Sequence, residues 1–196
     1  MSPLEGTVAG LLLAAGQGRR YGRPKALVSL GDRLLVDRAA AALTDGGCAP
    51  TVAVLGASAA EVVARARLDG VRAVVNADWP TGMGSSLRAG LAALADTGTV
   101  AAVVLLVDTP GIGAEAVRRL ASYAAPEAVA VGTYGGRRGH PVLLGRDHWD
   151  EVAARAEGDA GARPFLAAHP DLVREVPCED VADGLDVDVP ADLPRT

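Results

Sequence analysis

Between Ala14 and Lys25 the chain reads Ala14-Ala15-Gly16-Gln17-Gly18-Arg19-Arg20-Tyr21-Gly22-Arg23-Pro24-Lys25. The three glycines let the backbone approach a polyphosphate closely and turn its N–H groups toward it. Arg19 and Lys25 add fixed positive charge, suited to phosphate oxygens and to the charge that develops on a phosphoryl group in transfer. A glycine-rich turn with exposed basic residues would have the same composition. The loop is not a Walker A sequence, because no Gly-Lys-Ser/Thr follows. Nor is it the dinucleotide fingerprint, because Gly16-x-Gly18 is followed by Gly22 rather than by a glycine three places on.

Three more segments hold residue types with chemical use. In Asn76-x-x-Trp79-x-x-Gly82-Met83-Gly84-Ser85-Ser86-Leu87, the Asn side chain offers both a donor and an acceptor to a base edge. Gly82, Gly84 and the Ser85 hydroxyl there suit close approach at a helix start, or simply a capped turn. Asp108 follows the apolar run Val103 to Val107 and precedes Thr109-Pro110, where a hard cation and a phosphate would meet, or where a turn needs a cap. The tail Gly184-Leu185-Asp186-Val187-Asp188-Val189-Pro190-Ala191-Asp192-Leu193 supplies further carboxylates. Mg²⁺ takes one or two carboxylates plus phosphate oxygens, so Asp108 with Asp186 or Asp188 would suffice, Asp186 being preferred. Asp188 and Asp192 equally suit caps. In Gly139-His140-Pro141 a neutral imidazole can hydrogen-bond a ligand, with Arg137 or Arg138 adding charge, although a His beside Pro also serves as a plain turn residue.

These residues need a scaffold that gathers strand ends. Short β-branched or Leu-rich runs alternate with Ala-rich stretches of helical spacing, which predicts strands and helices around a mostly parallel sheet. Strands are expected at Val8 to Leu13, Thr51 to Leu55, Val71 to Asn76 and Ala101 to Val107. Helices are expected at Leu34 to Leu43, Ala59 to Ala66, Ser85 to Leu94, Ala114 to Tyr123 and Trp149 to Ala156. Ala128 to Tyr134 and Pro141 to Leu144 flank the turn Gly135 to Gly139 and read as a late strand pair. In such a sheet ligands bind beyond the carboxyl ends of the strands, which places the Ala14 to Lys25 loop at the site. No linker or repeat divides the chain, so residues 1–196 are expected to form one α/β domain, Rossmann-like and doubly wound.

Composition narrows the function classes. A net charge of −5, with 19 Lys and Arg scattered along the chain, argues against nucleic acid as the main partner. Val8 to Ala15 is too short to span a bilayer. Cys48 and Cys178 lie far apart without metal-ligand spacing, and the start lacks the charged opening of a signal peptide, so a reduced, cytoplasmic protein is expected. With 3% aromatic residues, the interior has to be packed from Ala, Val and Leu.

Leu13-Ala14-Ala15-Gly16-x-Gly18-x-Arg20-x-Gly22-x-x-Lys25 resembles the signature of the nucleotidyltransferases related to molybdenum cofactor cytidylyltransferase and guanylyltransferase. The resemblance continues through the Asn76 to Leu87 stretch, the Asp108-x-Pro110 motif, Gly139-His140-Pro141 and the closing Asp186-Val187-Asp188-Val189-Pro190, where Val189 replaces the usual Thr. It implies a nucleotide-diphospho-sugar-transferase-like fold with a small β-extension. It also implies that Leu13, Ala14, Ala15, Gly16, Gly18 and Lys25 wrap the nucleotide, with Asn76, Gly82 and Ser85 at the base. Arg20, Lys25 and Asp108 would be catalytic, Mg²⁺ would sit on Asp108 and Asp186, and His140 and Arg138 would face the acceptor. The implied reaction is Mg²⁺-dependent transfer of a nucleotidyl group to a phosphorylated acceptor, the molybdenum-pterin cofactor, with loss of pyrophosphate. Leu-Ala-Ala-Gly resembles the cytidylyl branch, so CTP is preferred over GTP. An NAD(P)H-dependent reductase on the same scaffold and a non-catalytic insertion partner that binds nucleotide are the rival readings.

Overall fold

The computed structural model describes residues 7–193. In chain order its elements are β1 (Val8–Ala14), the short pair β2 (Ser29–Leu30) and β3 (Arg33–Leu34), α1 (Leu35–Asp45), β4 (Thr51–Leu55), α2 (Ala59–Arg65), β5 (Val71–Val75), α3 (Met83–Leu94), β6 (Ala101–Leu106), α4 (Ala114–Ala121), β7 (Val129–Tyr134), β8 (Arg137–Gly145), α5 (Trp149–Arg155), α6 (Arg163–Ala168) and β9 (Val173–Pro177). Seven strands form one sheet in the order β5-β4-β1-β6-β8-β7-β9. The four strands from β5 to β6 are mutually parallel, β8 runs antiparallel to both β6 and β7, and β9 runs parallel to β7. The carboxyl ends of β5, β4, β1 and β6 therefore open on one edge, and the first to leave that edge at β1 is the glycine-rich loop.

Alternation along the central strands sorts the core into two layers. Leu12, Ala14, Leu55, Val103 and Leu105 face α1 and α4, where Leu35, Leu43, Val117 and Leu120 are buried. Leu11, Leu13, Val54, Ala102 and Val104 face the other way onto Leu87, Leu91 and Leu94 of α3, Trp149 of α5 and Phe165 of α6. α3 lies close on β1: a methyl group at Gly90 would come within 2.3 Å of Leu11 Cδ1. In a chain so poor in aromatics this close approach of small residues is what fills the interior.

The expected elements are present with ends shifted by a few residues, which is the normal uncertainty of helix and strand boundaries. α3 begins at Met83 rather than Ser85, and β8 extends from Arg137 to Gly145 rather than Pro141 to Leu144. The hairpin turn narrows to Gly135 and Gly136, whose φ values of 55° and 75° suit a two-residue type I′ turn, so Arg137, Arg138 and Gly139 belong to the strand. Two elements beyond Asp147 were not expected from the sequence, α6 and β9. The first is six residues long, and the second is an edge strand with mostly exposed residues that ends in Pro177, so neither carries a full period of apolar pattern.

Phe165, the one phenylalanine of the chain, fastens this late segment. It is fully buried, and the rings of His148 and His169 lie 5.4 and 4.8 Å from its own. Phe165→Ala should lower the free energy of unfolding by about 3–5 kcal/mol in chemical denaturation; a loss well under 1 kcal/mol would mean that the segment contributes little to the core.

Candidate active site

Pro24 closes the glycine-rich loop, and a single 3₁₀ turn over Lys25–Leu27 follows. The loop folds on itself: Gly22 N–H donates to Gly18 O at 2.8 Å, and Gly18 has φ +63° with its α-carbon so close to Arg23 O that a methyl group would fall 2.0 Å from it. Only glycine meets both demands. Lys25 thereby leaves the loop at a fixed point, with its ammonium Nζ donating to Asp108 Oδ2 at 2.7 Å and to Asp188 Oδ1 at 2.9 Å. The outer Asp188 oxygen pairs with Arg20 at 2.8 Å.

The tail is fastened to this place by backbone and side chain alike. Val187 is buried and its N–H donates to the Asp108 carbonyl at 2.8 Å, which sets Asp186 and Asp188 on either side of it. Asp192 Oδ2 accepts from the N–H groups of Asp188 and Val189, both at 2.9 Å. Asp192 is thus the cap of the tail, and Asp188 keeps its carboxylate for Lys25 and Arg20.

The charges are unevenly shared. Burial works against the Lys25 ammonium, but the hydrogen bonds to Asp108 and Asp188 outweigh it and hold its pKa above the ordinary lysine value. The Lys25 hydrogen bond draws Asp188 below the usual carboxylate range. Asp186 goes the other way, raised by burial and then by the neighbouring charges of Asp108 and Asp188. Asp108 Oδ1 is buried without a hydrogen-bond partner. An unused carboxylate oxygen beside a second carboxyl with a raised pKa is a donor set that suits one divalent cation completed by phosphate oxygens. Among the described residues no three His, Cys, Asp or Glu side chains are grouped as a complete protein cage. Mg²⁺ needs none.

Beside the loop lies an open cleft of about 470 Å³, lined by Gln17, Gly18, Arg19, Gly22, Arg23, Pro24, Ala57, Ser58 and Trp79. Gln17 and Trp79 belong to segments that the sequence pointed to, whereas Ser58 was not singled out from it. Ser58 does carry a signal that only the structure displays, φ +55°, the one positive φ at a non-glycine residue among those described. Leu13, Ala14 and Ala15 are buried at the end of β1 behind this loop.

Several expected residues make their contacts with the protein itself. Asn76 is buried, with its amide nitrogen donating to Ser85 Oγ at 2.8 Å and Ser86 Oγ at 3.1 Å and its oxygen accepting from Asp78 N–H at 3.0 Å. Ser85 in turn donates to the carbonyls of Asp78 or Gly82. These groups brace the turn into α3, and the backbone of Gly82 packs on that of Gly158. Arg138 pairs with Glu175 of β9 at 2.8 Å, away from the acidic cluster. His140 lies in a second, smaller cavity beside α3 and α6. By their contacts the expected residues divide: Arg20, Lys25, Asp108 and Asp186 share one locus beyond the glycine-rich loop, and Asn76, Gly82 and Ser85 meet at the turn into α3.

A basic loop that meets an acidic strand end on a sheet of this topology defines a protein of the nucleotidyltransferase fold. The chain belongs to the family of the MobA-like NTP transferase domain, which matches residues 10–173. It is 44% identical over 189 residues to nicotine blue oxidoreductase of Paenarthrobacter nicotinovorans, covering 92% of either chain. It is 36% identical over 193 residues to a molybdenum cofactor guanylyltransferase of Cereibacter sphaeroides strain ATCC 17029, covering 95% of this chain and 93% of the relative. The solved structure of the Rv0371c homologue of Mycobacterium sp. strain JC1 has a TM-score of 0.81 at 32% identity, covering 93% of this chain and 90% of the other. The sequence-based preference for the cytidylyl branch thus meets relatives named for guanylyl transfer and for oxidoreduction. No described helix is long and apolar enough to cross a membrane.

The raised pKa of Asp186 carries a stability consequence with a definite sign. A carboxyl whose folded pKa lies above its unfolded one favours the fold most at low pH, and that contribution is lost as pH rises through the raised value. At neutral pH the charged carboxylate therefore opposes folding. In the metal-free protein, Asp186→Asn should raise the thermal midpoint at neutral pH, and the gain should vanish below about pH 4. A midpoint lowered at neutral pH would mean that the Asp186 charge is compensated.

Proposed function

We propose that this protein transfers a nucleotidyl group from a nucleoside triphosphate, CTP being the preferred donor, to a phosphorylated acceptor, the molybdenum-pterin cofactor, with release of pyrophosphate. The observation that carries the proposal is the Lys25 ammonium held between Asp108 and Asp188 at the mouth of the glycine-rich loop. Reactions at phosphorus are accelerated mainly by positioning and by charge neutralisation, and this locus offers both.

An acceptor phosphate oxygen attacks the α-phosphorus, a new P–O bond forms, the bond to the β-phosphate oxygen breaks, and pyrophosphate leaves with the electron pair. No covalent intermediate on the protein is needed. Backbone N–H groups of the loop cradle the phosphates. Lys25 and Arg20 neutralise charge that builds on the transferring group and on the leaving pyrophosphate. Asp108 and Asp186 would hold Mg²⁺, which supplies Lewis-acid polarisation of the phosphates when bound. The donor base rests on the Ala14-Ala15 pair for CTP, whereas the name of the Cereibacter sphaeroides relative supports GTP.

A second reading has its own support, the 44% identity to a protein named nicotine blue oxidoreductase. A reductase would bind NADPH in the same cleft without a metal and would keep its activity in Asp108→Asn, and a non-catalytic carrier would bind nucleotide without releasing pyrophosphate. Thermal stabilisation by CTP, GTP, ATP, UTP and NADPH, with and without Mg²⁺, separates the readings. The expected result is a shift that requires Mg²⁺, is largest with CTP, and disappears in Asp108→Asn. A metal-independent shift with NADPH alone would replace transfer by reduction, and a GTP-specific shift would replace the base. Lys25→Ala should reduce turnover about 100-fold or more while nucleotide affinity falls much less; equal losses would exclude a transition-state role.

A further inference from the structure

Both cations that the transfer reading assigns to phosphate are occupied by one carboxylate of the protein itself. Asp188 Oδ1 accepts from Lys25 Nζ at 2.9 Å, and Asp188 Oδ2 lies 2.8 Å from a guanidinium nitrogen of Arg20. Two oxygens on one atom, each set against a different cation, are also what a phosphoryl group would present to the same pair. An anion cannot take Lys25 and Arg20 together while Asp188 keeps them. The contacts of Lys25 are unequal, however. Its side chain and that of Asp108 are 14% and 21% exposed, so their pair is sheltered, whereas Asp188 is 38% and Arg20 76% exposed. Ion pairs open to water are weakly held, so the contacts of Asp188 are the ones that yield to a competing anion.

The backbone around Asp188 is fastened without the help of its carboxylate. Val187 is buried with its N–H on the Asp108 carbonyl, and Asp192 accepts from the N–H groups of Asp188 and Val189. The tail therefore keeps its place when the Asp188 side chain turns away from Lys25 and Arg20. That turn has a cost. Asp186 is near enough to Asp108 and Asp188 to feel the charge of both, so a carboxylate freed from its cations stays in a cluster of like charge. An anion that arrives alone leaves this repulsion in place, whereas one that arrives with a divalent cation offsets it.

We propose that Asp188 is an autoinhibitory latch on the phosphate site: it holds Lys25 and Arg20 while no ligand is bound, has to be displaced before a polyphosphate binds, and yields readily only to a polyphosphate that carries a divalent cation. The proposal rests on the nucleotidyl-transfer reading for the assignment of those two cations to phosphate. Its consequence is selectivity. The apparent affinity for a bare polyphosphate is reduced by the fraction of molecules in which the latch stands open, so the site rejects anions that come without their metal.

Inorganic pyrophosphate is the probe, titrated calorimetrically into the parent and its variants in EDTA and in excess Mg²⁺, with ligand-free thermal midpoints to confirm that each variant is folded. In EDTA, Asp188→Asn and Asp188→Ala should each bind pyrophosphate about tenfold more tightly than the parent. Asp186→Asn removes a carboxylate from the same cluster but none from Lys25 or Arg20, and it should gain much less. In Mg²⁺ the advantage of the Asp188 variants should shrink. Unchanged or weaker binding by both Asp188 variants in EDTA, an equal gain in Asp186→Asn, or the same gain in Mg²⁺ as in EDTA would overturn the latch. Stabilisation of the parent by CTP with Mg²⁺ is measured on the same samples. Its absence would count against nucleotidyl transfer, whereas the pyrophosphate comparisons judge the latch.

Discussion

A lysine ammonium placed between two aspartates is a constraint that reaches far beyond its own contacts. Lys25 lies 83 residues from Asp108 and 163 from Asp188, so these two hydrogen bonds join the loop after β1, the end of β6 and the tail. Each of those segments has its own reason to arrive there. β1 and β6 are adjacent parallel strands and must end on the same edge, the loop can turn only because Gly18 tolerates both its φ and its neighbour, and Val187 anchors the tail to the Asp108 carbonyl. Without Lys25, like-charged carboxylates would face one another with little to offset them.

One lysine does not balance three carboxylates. Asp188 is fully paired by Lys25 and Arg20, whereas Asp186 is held toward its protonated form and one oxygen of Asp108 has no partner. Positive charge collects on the other side of the loop, where Arg19 and Arg23 line the cleft. A triphosphate with a divalent cation brings the complementary pair of charges, negative for the loop and positive for the carboxylates. The site is strained electrostatically in the way expected of machinery that is complete only with its ligand.

Much of this could be seen in the residues themselves. Short β-branched or Leu-rich runs marked β1, β4 and β6 within a residue, and the end of an apolar strand marked Asp108. α6 and β9 escaped because one is shorter than two turns and the other is a half-exposed edge. Asn76 shows a different limit. Residue type told that its amide could read a base edge, but only packing shows the same atoms bound to Ser85, Ser86 and Asp78.

The family frames a choice between two chemistries that share a nucleotide-binding sheet, since its members here include a named guanylyltransferase and a named oxidoreductase. The acidic cluster suits transfer at phosphorus, where a divalent cation and phosphate oxygens would complete it. The most direct test supplies CTP or GTP labelled at the α-phosphorus together with the molybdenum-pterin cofactor and Mg²⁺, and follows label in the acceptor, free pyrophosphate and, in a parallel reaction, NADPH oxidation. Nucleotidyl transfer predicts label in the acceptor matched one for one by pyrophosphate. NADPH consumption with no label transferred would contradict it.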